Sequence, residues 1–222
     1  VPQAEWAGQA AILAIGAALN GPTDIVACHI RALRALGHSV LQIDPFQRRD
    51  ILDNTKIVGG GFGGNMLNPD RVLAHATPFG ADIVLTLGGG LGFTPDAASR
   101  LRQQGLTLVG VTLSDPDVQD SILETARNFD VHFTNSKLAL GRYLDAGLGQ
   151  THLMPFAIDR SWVAYDSPAD ENWTADVICL GHATGRADRN AAMAALSERF
   201  GNVRTYGRGW EVSAAGVNRG PV

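Results

Sequence analysis

Cysteine and clustered basic residues are scarce in this sequence. Its 222 residues include only two cysteines, Cys28 and Cys179, and no C-x-x-C spacing occurs. Both lie in apolar segments, so we expect two buried thiols rather than a disulfide framework, which fits the reducing cytoplasm. The net charge is −4 and there is no dense Lys/Arg run, which argues against a surface that binds nucleic acid.

Segments typical of membrane insertion or export are also missing. No run approaches the roughly 18 uninterrupted apolar residues that a spanning helix needs. Residues 10–19 are apolar, but the segment is short and lacks the basic leader and the cleavage pattern of a signal peptide. We therefore predict a cytoplasmic protein without a membrane span.

Patterns for metal binding and nucleophilic catalysis are absent from the sequence as well. The six histidines show neither H-x-x-x-H nor H-E-x-x-H spacing, so we predict no metal site. We also expect no cofactor. Neither a G-x-S-x-G elbow nor a P-loop occurs. We interpret His132, which falls within a predicted strand, as a structural histidine.

What the sequence does contain is a regular alternation of apolar runs and amphipathic segments. This alternation predicts a parallel sheet with helices on both faces, and hence one Rossmann-like α/β domain over residues 1–159. The predicted strands cover residues 11–17, 39–44, 81–87, 106–113, 130–136 and 151–159. Helix N-termini are expected at Thr23 or Asp24, Asn68, Thr94 and Ser136.

The alternation stops at residues 160–175, which carry a proline, several acids and little periodicity, and which we interpret as a linker. Residues 176–222 then begin a second Rossmann-like domain. We predict a strand over 176–180, a helix over about 188–200, and a strand over 203–206 that runs into a glycine loop with Trp210 as its aromatic anchor. Because two strands cannot bury both faces of a sheet, we expect about 100 or more residues beyond Val222 to complete this domain.

Three stretches resemble glycosyltransferases of the GT-B type, in which a linker joins two Rossmann-like domains. The stretch "HIRALRALGHSVLQID" is similar to their first helix and second strand, and "HFTNSKLALGRYLDAGLGQTHLMPFAID" is similar to the end of their acceptor domain. The stretch "DVICLGHATGRADRNAAMAAL", followed by "VRTYGRGW", resembles the opening of the donor domain in the spore-maturation (spore-coat) glycosyltransferase-like family.

The resemblance implies that a sugar is transferred from a nucleoside diphosphate sugar to a small-molecule, glycan or protein acceptor. The catalytic cleft would lie between the two domains, with the acceptor on the first and the donor mainly on the second. Further donor-binding residues would follow Val222, so the chain as given would not catalyse transfer alone.

Ligands of open parallel sheets bind beyond the carboxyl ends of the strands. This rule selects Asn20 and Gly21 as acceptor-binding candidates, although a simple strand-to-helix turn would also explain them. It also selects Gly88, Gly89 and Gly90, because glycine permits close approach of the backbone to an acceptor. The alternative for this glycine run is a flexible surface loop.

Two polar residues follow later strands of the predicted sheet. Asp115 ends the fourth strand, where a carboxylate can act as the general base that accepts a proton from an acceptor hydroxyl. Spore-coat-type relatives often carry "DDP" here, whereas Ser114 replaces the first acid. Because Pro116 follows at once, Asp115 could instead be a helix cap. Asn135 ends the fifth strand and is a further acceptor-binding candidate.

The first loop of the second domain, "GHATGR", is a candidate phosphate site. We expect Gly181, His182, Thr184 and Arg186 to bind the donor diphosphate, since backbone N–H groups, a hydroxyl and a guanidinium suit phosphate oxygens. Arg189 near the helix start could assist. The alternative is a solvated turn with surface arginines.

Two other functions stay open at this point. A two-lobed protein that binds a sugar without catalysis would also contain two Rossmann-like lobes. A nucleotide-sugar epimerase shares the double-Rossmann architecture, but it would normally place catalytic acids and a histidine in both lobes. The sequence alone does not identify such a set.

Overall fold

The computed structural model describes residues 8–16, 24–43, 65–88, 91–113, 115, 120–157, 175–181, 183–207, 209–210 and 216–218. The chain divides into two compact units, Val1–Arg160 and Ser161–Val222. The first unit carries a six-stranded parallel sheet, and the strands of the second unit form a separate three-stranded sheet. The expected fold class, Rossmann-like α/β with a smaller second sheet, is confirmed.

The large sheet is parallel throughout. The strands of the first unit are β1 (Ala11–Ile15), β2 (Ser39–Ile43), β3 (Asn65–Met66), β4 (Ile83–Leu87), β5 (Leu91–Gly92), β6 (Thr107–Thr112), β7 (Val131–Thr134) and β8 (Thr151–Leu153). The order in the large sheet is β2-β1-β4-β6-β7-β8. Strands β1 and β4 are neighbours, with β2 added on the β1 side and β6, β7 and β8 added in turn on the β4 side.

Helices follow most of these strands, and the expected caps are confirmed. The side chains of Asp24, Asn68, Thr94 and Ser136 each accept a hydrogen bond from a backbone N–H in the first turn of a helix. The helices are α1 (Ile25–Ala35), α2 (Pro69–Phe79), α3 (Pro95–Gln103), α4 (Asp120–Ala126) and α5 (Lys137–Asp145).

The core lies on both faces of the large sheet. In β1, Leu13 and Ile15 belong to one buried cluster with residues of α2 and α3, whereas Ile12 and Ala14 belong to another with residues of α1. Each buried Leu or Ile contributes roughly 1.5–3 kcal/mol to stability. Because both faces are covered, the strand is apolar at every position instead of alternating.

A two-stranded ribbon accompanies the large sheet and was not predicted. Strand β3 pairs with β5 in parallel, with Asn65 opposite Leu91. Two residues per strand are too few to produce a periodic signal. Gly92 in this ribbon packs against α4 so closely that an added Cβ would overlap the Thr125 side chain, so glycine is required there for packing.

The second unit contains β9 (Val177–Leu180), α6 (Ala187–Arg199), β10 (Val203–Tyr206) and β11 (Gly216–Asn218). The three strands are parallel in the order β11-β10-β9. The expectation of two strands was wrong, because β11 adds a third strand with Gly216 opposite Val203. Its three residues have no apolar alternation, so their pairing is set by backbone hydrogen bonds that the sequence pattern does not reveal.

Within the described ranges, no helix combines the length and the apolar character needed to cross a bilayer.

Candidate active site

The Asp115 carboxylate is anchored at the carboxyl ends of two neighbouring strands. Strands β6 and β7 run in parallel with Thr112 opposite Thr134, so the loop after β6 begins beside the end of β7. The Thr134 hydroxyl donates a hydrogen bond to Asp115 Oδ2. The same hydroxyl oxygen accepts from the backbone N–H of Ser136 at 3.2 Å. Asp115 is therefore held by a side chain that is itself held by the start of α5.

Tyr143 on α5 belongs to the same cluster. It is fully buried at 0% exposure, and its hydroxyl lies beside the Asp115 carboxylate and the Thr112 hydroxyl. Burial, and then the negative charge of Asp115, raise the pKa of Tyr143 above its ordinary value. The phenol is therefore protonated at neutral pH and can act as a hydrogen-bond donor.

His132 adjoins this cluster, and it is buried with a partner at each ring nitrogen, as a structural histidine would be. Its Nε2 is 3.0 Å from Thr112 Oγ1 and its Nδ1 is 3.3 Å from Thr151 Oγ1. Burial lowers the pKa of His132 to about 4, so the ring is neutral at pH 7. The ring also meets Tyr143 edge to face at 4.8 Å between centroids.

A small cavity of mixed polar and apolar lining lies beside His132. Its polar side chains come from Thr86, Thr112, Thr125 and His132, and Gly88 also lines it. Gly88, an acceptor-binding candidate, has a φ of 143°, and its N–H donates to the Val111 carbonyl at 3.0 Å. The structure thus brings Gly88 to the same sheet edge as the cluster around Asp115, whereas Gly89 and Gly90 lie outside the described residues.

The remaining candidates of the first unit are less closely tied to this cluster. Asn20 and Gly21 lie outside the described residues. Asn135 directly follows Thr134, is half-buried, and has a buried Oδ1 that accepts no hydrogen bond from the part of the chain that the structure describes. A buried amide oxygen in this position is suited to a hydrogen bond from a ligand hydroxyl or amide.

The candidate phosphate loop of the second unit is exposed at Thr184, Gly185 and Arg186. It leads into α6, and Arg186 is the N-cap residue of that helix. The Arg186 guanidinium bonds both carboxylate oxygens of Asp188, at 2.9 and 2.7 Å. This hydrogen-bonded pair lowers the pKa of Asp188 to about 2. His182 lies outside the described residues.

The glycines and the tryptophan of "YGRGW" hold this loop to the end of β10. An added Cβ on Gly207 would overlap the Gly181 carbonyl, and one on Gly209 would overlap the backbone of Thr184. The indole N–H of Trp210 donates to the carbonyl oxygens of Gly181 at 3.0 Å and of Tyr206 at 3.3 Å. The motif therefore fixes the backbone at the ends of β9 and β10.

Two residues of the first-unit cluster were missed by the sequence prediction. The sequence pattern predicts a strand at Thr134 and a helix after Ser136 that includes Tyr143, and neither pattern indicates a polar role. Their polar roles depend on Asp115, which belongs to a different element. Among the described residues, no three side chains of His, Cys, Asp or Glu come together in a way that could hold a metal ion.

Comparisons with known proteins show the fold. No protein-family model and no curated protein matches the chain. The Staphylococcus aureus MnaA–UDP co-structure matches 96% of this chain and 70% of its own, at 11% identity and a TM-score of 0.56. A Listeria monocytogenes structure assigned as a UDP-N-acetylglucosamine 2-epimerase matches 97% of this chain and 70% of its own, at 12% identity and a TM-score of 0.52.

These likenesses confirm the expected GT-B fold. They do not extend to the spore-maturation family, which stays a prediction. At 11% and 12% identity they carry no residue-level correspondence, so they show the fold and not the chemistry.

Proposed function

We propose that this chain binds a nucleoside diphosphate sugar and epimerises the sugar. The proposal is carried by the likeness of nearly the whole chain to a UDP complex and to a protein assigned as a UDP-N-acetylglucosamine 2-epimerase. This replaces glycosyl transfer as the leading hypothesis.

The chemistry of epimerisation suits the cluster around Asp115. Inverting a carbon that bears hydrogen requires a base to remove the proton and an acid to return one. A carboxylate fixed by Thr134 and placed at the carboxyl end of a parallel sheet is a suitable base. In this proposal Asp115 takes the proton from the sugar carbon next to the anomeric carbon, and the electron pair forms a double bond as the diphosphate leaves the anomeric carbon. The diphosphate then adds back and a proton returns to the opposite face, so the carbon is inverted without an oxidant. The buried, neutral Tyr143 beside Asp115 keeps the surroundings polar without adding a charge.

The diphosphate is assigned to residues 181–186 and to the first turn of α6. Unsatisfied backbone N–H groups at a helix N-terminus attract anions. Arg186 and the Thr184 hydroxyl add a charge and a donor. Arg186 forms an ion pair with Asp188, so binding would exchange the Asp188 carboxylate for a phosphate oxygen on the same guanidinium.

Glycosyl transfer is the second candidate, favoured by the resemblance of "VRTYGRGW" to the donor domain of spore-coat-type proteins. The loop-fixing role of Trp210 and of the two glycines gives that motif a structural function that either activity could use. In transfer, Asp115 would accept a proton from an acceptor hydroxyl instead of a sugar C–H.

Nucleotide binding is tested first, by thermal unfolding with UDP, ADP, GDP and UDP-N-acetylglucosamine. A ligand at 100 times its Kd raises the free energy of unfolding by about 2.7 kcal/mol. We expect a clear rise in Tm with UDP and the UDP-sugar, and a smaller rise in Arg186→Ala. Arg199→Ala, at the far end of α6, is the matched control and should retain the full response. No response to any nucleotide would contradict the proposal.

Turnover then separates the candidates. The chain is incubated in D₂O with UDP-N-acetylglucosamine and no acceptor, and proton NMR follows the sugar signals. Epimerisation predicts a second UDP-sugar together with deuterium at the inverted carbon, both lost in Asp115→Asn. Release of UDP only after an acceptor is added would favour transfer, and tight binding with neither outcome would favour a binding protein.

A further inference from the structure

The hydroxyl of Tyr143 is not explained by packing. The side chain is fully buried among residues of α4 and α5, and its ring contacts His132. Phenylalanine would make the same ring contacts. A buried phenol hydroxyl costs free energy unless it has a hydrogen-bond partner. Apolar packing therefore does not explain why this position carries tyrosine instead of phenylalanine.

Two groups lie within reach of this hydroxyl, the Asp115 carboxylate and the Thr112 hydroxyl. The phenol oxygen has no hydrogen-bond partner in the described ranges, so a hydrogen bond to Asp115 requires a small rotation of the ring or one bridging water. The carboxylate is the stronger acceptor, because hydrogen bonds to ionised groups are roughly twice as strong as neutral ones. Thr112 is already engaged with His132 at 3.0 Å.

We propose that Tyr143 is a positioning residue, whose hydroxyl donates a hydrogen bond to the Asp115 carboxylate and, with Thr134, fixes that carboxylate at the sheet edge. The two donors come from different elements, β7 and α5, and Ser136 links them because it caps α5 and donates to Thr134. A carboxylate held from two sides keeps one orientation, which a general base needs. This catalytic meaning rests on the proposed function; the hydrogen bond itself does not.

The surrounding charges favour this arrangement at neutral pH. His132 on β7 is neutral, since burial lowers its pKa to about 4. Arg142 is the helix neighbour of Tyr143, and its positive charge affects the phenol less than the negative charge of Asp115 does. Burial, and then the charge of Asp115, raise the pKa of Tyr143, so the phenol retains the proton that it donates.

The first experiment follows the Asp115 carboxyl carbon by ¹³C NMR during a pH titration of the ligand-free chain, with Asp115→Asn used to assign the signal. Removing a donor to an ionised carboxylate disfavours the charged form. We expect the titration midpoint of Asp115 to move to higher pH in Tyr143→Phe. Tyr206→Phe removes the same hydroxyl from the second unit and should leave the midpoint in place. An unchanged midpoint in Tyr143→Phe would overturn the proposal.

A reciprocal measurement keeps the proposal testable if Tyr143→Phe does not fold. With ¹³Cζ-labelled tyrosine, the Tyr143 signal is compared between the wild-type chain and Asp115→Asn at neutral pH. We expect the signal to shift, because the charge and the acceptor are removed together. Asp145→Asn, at an exposed position on the same helix, should not shift it. Equal spectra for Asp115→Asn and wild type would refute the contact.

Both NMR measurements are independent of any ligand, so they succeed or fail separately from the proposed function. If the chain does turn over a UDP-sugar, Tyr143→Phe should lower kcat by about tenfold or more while KM changes little, as a loss of positioning predicts. A variant with the Asp115 midpoint shifted but kcat unchanged would confirm the hydrogen bond and overturn its positioning role.

Discussion

The Thr134 hydroxyl donates a hydrogen bond to the Asp115 carboxylate, and so joins the loop after β6 to the end of β7. Thr134 is fully buried at 0% exposure. A polar side chain in such a position requires a partner, and here that partner is the candidate base itself. The bond therefore couples the stability of the sheet edge to the orientation of Asp115.

Replacing Thr134 by valine should expose this coupling. Valine keeps the shape and removes the hydroxyl, so Asp115 loses a donor; we expect the free energy of unfolding to fall by about 1–3 kcal/mol. Urea unfolding followed by circular dichroism gives this value. Thr107→Val, at an exposed position at the start of β6, is the matched control and should change stability by less than about 0.5 kcal/mol. Equal stability of Thr134→Val and wild type would show that the bond contributes nothing.

Much of the first unit could be predicted from the sequence because its signals are local. The cap at Asp24 and the apolar run of β1 each depend on neighbouring residues, and the structure has both. In the second unit, β10 occupies the predicted residues, Val203–Tyr206. Local pattern and final structure agree where one segment alone determines its own geometry.

What the sequence could not predict depends on contacts between distant segments. The role of Tyr143 arises from a loop that precedes it by two elements, and helical spacing identifies Tyr143 only as buried. Strand β11 is held by its parallel pairing with β10, and its three residues are too few to show an apolar alternation. The need for glycine at position 207 also depends on a distant segment, because the carbonyl that excludes a side chain there belongs to Gly181.

Gly207→Ala tests the close packing of the two loops in the second unit. Gly207 has a φ of 118°, and an added Cβ would overlap the Gly181 carbonyl. In the variant, the backbone at position 207 or the loop at Gly181 must therefore shift. We expect a loss of about 2 kcal/mol or more, measured by urea unfolding with tryptophan fluorescence. Gly201→Ala, where an added Cβ meets nothing within 4 Å, is the control. Nucleotide binding should weaken only in Gly207→Ala.

Asp188→Asn tests whether the Arg186–Asp188 pair competes with phosphate. Removing the carboxylate breaks the Arg186–Asp188 ion pair, so we expect pyrophosphate or UDP to bind severalfold more tightly, and the gain to shrink at high salt. Isothermal titration calorimetry measures both effects. Glu198→Gln removes an exposed charge near the other end of α6 and should change the affinity much less. Weaker binding in Asp188→Asn would mean that Asp188 orients Arg186 for the ligand instead of competing with it.

His132 predicts how stability depends on pH. Burial lowers its pKa from 6.5 to about 4, so between these values the unfolded chain binds a proton that the folded chain excludes. The contribution of neutral His132 is therefore complete above pH 6.5 and is lost as the pH falls toward 4; a full shift of this size corresponds to about 3 kcal/mol.

Urea unfolding at several pH values should show the free energy of unfolding decreasing over this interval. The slope should be smaller in His132→Gln and unchanged in His152→Gln, where the replaced histidine is exposed. Equal slopes for all three proteins would mean that His132 takes up a proton in the folded state as readily as in the unfolded one.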